Sequence, residues 1–169
     1  MFKVSILFIL IFSAPVFSKE ITVQMKNKGS NGEKMVFEPS LIRANPGDTI
    51  NFVAKTSGHQ VQSFKKGVPK KCSIQTKKGK KEKTVDCSKG KTKNILKSGS
   101  IKKGGTYSVT IKDKGFYAIM CKPHLAMGMV GLIVVGDPKN KKAFVENLRS
   151  NKKLKKKGLK RMKKLLTKI

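Results

Sequence analysis

The run Cys121-Lys122-Pro123-His124-Leu125-Ala126-Met127-Gly128-Met129 places a thiol, an imidazole and two thioethers within nine residues. A second imidazole, His59, stands far upstream behind the turn Ser57-Gly58. These are the donors of a trigonal His2Cys copper site with a methionine as weak axial ligand. A thiolate is soft and electron-rich, and imidazole is acceptable to copper in both oxidation states. A distant thioether favours Cu(I) without demanding a new geometry. Such a site changes shape little when one electron enters or leaves. The competing account makes Cys121 and the methionines ordinary core residues and the histidines incidental. The composition weighs against it, because the chain has only two His and both fall in the constellation. Zinc accepts the same donors, but a structural zinc site calls for more Cys or His and no Met.

The elements that must hold these donors are short strands. Ile21–Lys26, Met35–Glu38, Leu41–Ala44, Thr49–Ala54 and His59–Ser63 form a first group. Tyr107–Ile111, Phe116–Cys121 and Val130–Val135 form a second. Turn residues such as Pro46-Gly47-Asp48 and Asp113-Lys114-Gly115 separate them, and Thr49-Ile50-Asn51-Phe52-Val53 alternates cleanly. Many short strands with frequent turns imply a mainly β fold, an antiparallel sandwich. The ligand loop would join the last two strands.

Three further segments frame this core. Residues 1–18 (MFKVSILFILIFSAPVFS) have a basic start, an apolar run from Val4 to Phe12 and small residues, Val16 and Ser18, before a cleavage point at Lys19. That layout is a secretory signal peptide, and the apolar run is shorter than the roughly 20 residues a membrane span needs. With no Cys near the cut, a lipid anchor there has no attachment atom. The mature protein is therefore expected to be soluble and exported.

Residues 65–93 carry 12 Lys against Glu82 and Asp86. With little to enter a core, they read as an exposed loop. Cys72 and Cys87 lie within it, and in an exported protein they are expected to form a disulfide worth about 3 kcal/mol. Residues 137–169 change period. Asp137-Pro138 suits an N-cap followed by proline at the first helical position, and Ala143, Phe144, Val145 and Leu148 share a face. After a break near Ser150-Asn151, a second helix collects Leu154, Met162, Leu165, Leu166 and Ile169 on one side. Two amphipathic helices lying on the sandwich are expected, in preference to a basic helix on a membrane or nucleic acid.

Gly58-His59, Cys121-Lys122-Pro123-His124 and the run Met127-Gly128-Met129-Val130-Gly131-Leu132-Ile133-Val134-Val135-Gly136 together resemble the pseudoazurins, small type 1 copper proteins of the cupredoxin family. Met35-Val36-Phe37-Glu38-Pro39, Pro46-Gly47-Asp48-Thr49-Ile50 and the two-helix tail fit as well; plastocyanin and amicyanin lack such a tail. The resemblance covers most of residues 20–169 outside 65–93. It implies a Greek-key sandwich with domain 19–136, a Lys-rich insertion at 65–93 and a helical extension at 137–169. It also implies one copper held by His59, Cys121, His124 and Met129, the last chosen over Met127 by the family's spacing. Met127 is then expected beside the exposed imidazole of His124. Gln60 stands where the family usually has Asn.

The formal charge of +30 becomes +29 once residues 1–18, with their single lysine, are removed. Acidic redox partners are the natural complement, with Lys122 in the ligand loop as a candidate contact. The resemblance implies a periplasmic electron shuttle serving a reductase such as copper nitrite reductase, or a cytochrome c-type partner. A monomer is expected, with no enzymatic activity, no membrane span and no specific nucleic-acid partner. A periplasmic copper chaperone is the alternative; it would favour a labile, exposed site.

Overall fold

The structure, a computed structural model, describes residues 18–65, 68–69, 72–86, 95–154 and 156–169. The expected cleavage segment and Cys87 lie outside them, apart from Ser18. Among the described residues ten strands form two sheets: β1 (Glu20–Lys28), β2 (Lys34–Glu38), β3 (Leu41–Ala44), β4 (Thr49–Ala54), β5 (Gln62–Ser63), β6 (Ser73–Lys78), β7 (Lys81–Asp86), β8 (Thr106–Ile111), β9 (Gly115–Met120) and β10 (Val130–Val135). One sheet runs β2-β1-β4-β8-β6-β7 and the other β3-β10-β9-β5. The expected mainly β sandwich is present. Two of its pairs, β1–β4 and β3–β10, are parallel because the chain changes sheets between their members.

Burial follows the pleat. In β4, Ile50, Phe52 and Ala54 are buried while Thr49, Asn51 and Val53 are half-buried. β9 and β10 are buried at every position, because each is covered on both faces. Tyr117, Ile119, Ile133 and Val135 face the cluster between the sheets. Phe116, Ala118, Met120, Val130, Leu132 and Val134 face a second cluster completed by the helices α1 (Lys141–Arg149) and α2 (Lys156–Leu166). Phe144 stacks on Phe116 at 5.0 Å between ring centroids, and Leu148, Leu154, Met162 and Leu165 close the layer.

Three expectations need correction. Residues 73–86 are not a loop but a β6–β7 hairpin that extends the larger sheet through β8. Ile74 is buried in the main cluster and Thr76 is also buried, whereas Gln75 and Lys77 point out. Period-two burial at those positions orders the segment despite its lysines. The first helix begins at Lys141 with Asn140 as N-cap, not at Asp137. The chain needs residues 136–140 to cross from β10 to the outer face before Phe144 can meet Phe116. Of its expected face, Phe144 and Leu148 are buried, Val145 is half-buried and Ala143 is exposed. The strand expected over His59–Ser63 is reduced to β5, with His59 making an isolated bridge to Ile101.

Glu38, at the end of β2, accepts from the Lys26 ammonium and from the Ser30 amide and hydroxyl at 2.9 and 2.6 Å. These donors, Lys26 foremost, hold its pKa at about 2 against an ordinary 4.5. Between those values the unfolded chain takes up a proton that the folded chain refuses. Its stabilising contribution is therefore complete above about pH 5 and lost as pH falls toward 2. We expect the gap in urea midpoint between wild type and Glu38→Gln to be constant above about pH 5 and to close on acidification. A gap that persists at pH 2 would contradict the assignment.

Candidate metal centre

Cys121 follows β9 in phase with Tyr117 and Ile119, so its side chain enters the cluster between the sheets and is fully buried. Met129 precedes β10 in the matching phase and is also fully buried there. The Cys121 amide donates to the Met129 carbonyl at 3.0 Å, extending the β9–β10 ladder by one bond. The loop between them is closed from inside: the His124 amide donates to the Cys121 carbonyl, and the Met127 and Met129 amides both donate to the His124 carbonyl, each at 3.1 Å. Three of the four expected ligands are thus fixed by one strand pair and its tight connection.

His59 reaches the same point from the other side. Gly58, at φ +86°, makes the turn a residue with a Cβ would resist, and the His59 carbonyl accepts from the Ile101 amide at 2.9 Å. The ring is fully buried, with Nδ1 at 4.0 Å from Cys121 Sγ. Nδ1 of His124 lies 3.3 Å from the same sulfur, and the two rings meet edge to face at 5.0 Å. The three donor atoms all lie within 4.8 Å of one another. With bonds of about 2.0–2.3 Å from nitrogen and sulfur to a first-row ion, a trigonal site separates its donors by about 3.7 Å. The cluster therefore fits such an ion.

Thr56 sets the orientation of His59. Its single hydroxyl proton goes to Asn27 Oδ1 at 2.9 Å, so it accepts from His59 Nε2–H at 2.8 Å. That leaves the Nδ1 lone pair aimed at the sulfur, the arrangement an outer partner imposes on a metal-binding histidine. Thr56 and Asn27 were not singled out in the sequence. Only the position of Thr56, three residues before His59, hints at the role. The Gln60 amide donates to Cys121 Sγ at 3.3 Å, tying the two ligand segments through the backbone.

Burial sets the protonation of the donors. Burial pushes the Cys121 thiol up, while the amides of Gln60 and His124 pull the other way. Burial, with the nearby His124, depresses His59 and keeps it neutral. Neutral imidazole is the ligand form, and an ion entering must displace the thiol proton. His124 is half-buried, whereas Lys122, Pro123 and Met127 beside it are exposed, Met127 at 40%.

The profile of copper-binding proteins of the plastocyanin/azurin family matches residues 23–136. A pseudoazurin of Paracoccus pantotrophus is 37% identical over 133 residues, 78% of this chain and 74% of that one. The chain belongs to the plastocyanin/azurin family, among its pseudoazurins. Its cofactor is accordingly one copper ion, and the His59, Cys121 and His124 donors stand together as that requires. Among solved structures, the pseudoazurin of Hyphomicrobium denitrificans aligns with a TM-score of 0.63 at 26% identity, covering 89% of this chain and 98% of that one. The pseudoazurin of Methylobacterium extorquens aligns with a TM-score of 0.57 at 30% identity and the same coverages. The family's role is copper-based electron carriage. No helix among the described residues is long and apolar enough to cross a membrane.

Proposed function

We propose that this pseudoazurin carries single electrons in the periplasm, delivering them to an acidic redox partner such as copper nitrite reductase. His59, Cys121 and His124 hold the copper in this reading, with Met129 as the weak axial ligand. The observation that carries it is the convergence of one buried sulfur and two Nδ1 atoms from distant segments, each braced by backbone or side-chain bonds. Such bracing keeps donor positions nearly constant while the charge changes by one electron, so reorganisation is small. The protein transforms no substrate.

His124 is the natural exit, since its ring is the only one of the two imidazoles that reaches the surface. Lys122 and Met127 flank it, offering charge and apolar contact to a docking partner. A net charge of +29 after export steers encounter with acidic surfaces and leaves the complex weak enough to part. Cys72 and Cys87 are assigned to a disulfide. Their immediate chain neighbours, Ser73 and Asp86, are partners in the β6–β7 ladder.

Voltammetry and stopped-flow mixing with copper nitrite reductase test the reading. A reversible one-electron wave is expected, with a bimolecular rate that falls as salt rises from about 10 to 200 mM. Lys122→Glu should slow the low-salt rate severalfold and flatten its salt dependence. An irreversible wave, or copper that passes rapidly to a chelator, would instead favour a copper chaperone.

A further inference from the structure

The ten cations of residues 152–169 are lysines with one exception, Arg161, near the middle of α2. A lysine ammonium is a hydrated point charge, whereas guanidinium presents a rigid planar fork that can serve several acceptors together. At this position the fork is used. Arg161 Nη1 donates to the carbonyls of Gly128 and Met35, both at 2.9 Å, and Nη2 donates to the carbonyl of Lys34 at 3.0 Å. Its Nε lies 3.4 Å from Glu33 Oε2. One side chain thus joins the helix, the start of β2 and the ligand loop. Met35 is held at φ +52°, a left-handed conformation that is costly for a residue other than glycine.

Gly128 is the residue immediately before Met129. It sits at φ +88°, and a Cβ there would meet Arg161 Cδ and Lys157 Cβ at 3.2 Å each. The helix therefore rests directly on this turn, and glycine serves both the backbone angle and the close approach. The second apolar cluster explains why α2 packs on the sandwich. It does not call for a guanidinium forked onto the loop that carries Cys121, His124 and Met129.

We propose that Arg161 is a positioning residue of the copper centre: it clamps the Gly128 turn from outside and so fixes where the Met129 thioether stands relative to the trigonal plane. This rests on the reading of Met129 as axial ligand. The helical tail then has a second task beyond covering the sheet, because it sets the site's preference between the two copper states.

Arg161→Lys tests this, since it keeps the charge and loses the fork; Arg149→Lys on α1 is the control. Two readouts are needed on the full-length mature protein. In the copper-loaded form, Arg161→Lys should remain coloured but shift its reduction potential and the ratio of its visible charge-transfer bands. In the metal-free form, the amides of Met129 and Val130 should exchange with deuterium about tenfold faster, as follows from losing one charge-assisted hydrogen bond, while amides of β1 and β4 keep their wild-type rates. Arg149→Lys should change neither. If Arg161→Lys only lowers the urea midpoint and leaves potential, spectrum and Met129 exchange at wild-type values, Arg161 is a packing residue and the proposal fails. A colourless wild-type protein would sink the copper-ligand reading separately, and the exchange result alone would then decide whether the clamp exists.

Discussion

Replacing Cys121 with serine abolishes the intense visible absorption of the copper-loaded protein and weakens copper binding by more than about 100-fold, beyond the range for losing a mere orienting partner. The absorption requires charge to move from a thiolate sulfur to the metal, and Cys121 Sγ is the sulfur that stands 3.3 and 4.0 Å from the two imidazole Nδ1 atoms. Serine offers a hard oxygen that stays protonated at neutral pH, so it supplies neither the transition nor a comparable bond. The metal-free fold should survive. Cys121 is buried, but a hydroxyl is smaller than a thiol and still presents an acceptor to the Gln60 amide. The expected cost is about 1 kcal/mol, within the range of one altered hydrogen bond. Visible spectra and urea melts of both proteins, with and without copper, separate these effects. An unchanged band in Cys121→Ser would remove the thiolate from the site and end the copper assignment as drawn.

Cys121, His124 and His59 could be found without coordinates because ligand chemistry restricts residue type so severely and this chain holds so few candidates. The sandwich was legible for a different reason: alternation in β4 and the turn chemistry of Pro46-Gly47-Asp48 are local signals. The β6–β7 hairpin was hidden because its two buried positions, Ile74 and Thr76, are outnumbered by the exposed Lys77, Lys78, Lys81 and Lys83 along the two strands. Charge density there describes the exposed residues toward the hairpin's tip and says nothing of the two positions that pack. The start of α1 was misplaced because Asp137-Pro138 is a good local cap, whereas the true start is set by the distance the chain must travel to stack Phe144 on Phe116. The pairing of Thr56 with His59 and Asn27, and the fork of Arg161, depend on side chains from separate elements meeting in space. Beyond the three-residue step from Thr56 to His59, no spacing in the sequence hints at either.

Met129 and Met127 are two residues apart, and only one can serve the copper. Burial divides them: Met129 is wholly inside the cluster with Cys121, and Met127 is 40% exposed beside His124. A thioether is soft and favours Cu(I); an amide oxygen is hard and favours Cu(II). Met129→Gln should therefore lower the reduction potential. A tenfold change in the relative affinity for the two states corresponds to about 59 mV for one electron, and a shift of at least that size is expected. The variant keeps its thiolate and both imidazoles, so it should remain coloured, with its band position altered. Met127→Gln should leave the potential and the spectrum near wild type and slow electron delivery to the partner, because that side chain belongs to the docking surface. The opposite pattern, a lowered potential in Met127→Gln and none in Met129→Gln, would move the axial position to the exposed thioether. It would also break the link from Arg161 through Gly128 to the metal, since the clamp would then brace a residue that the copper does not touch.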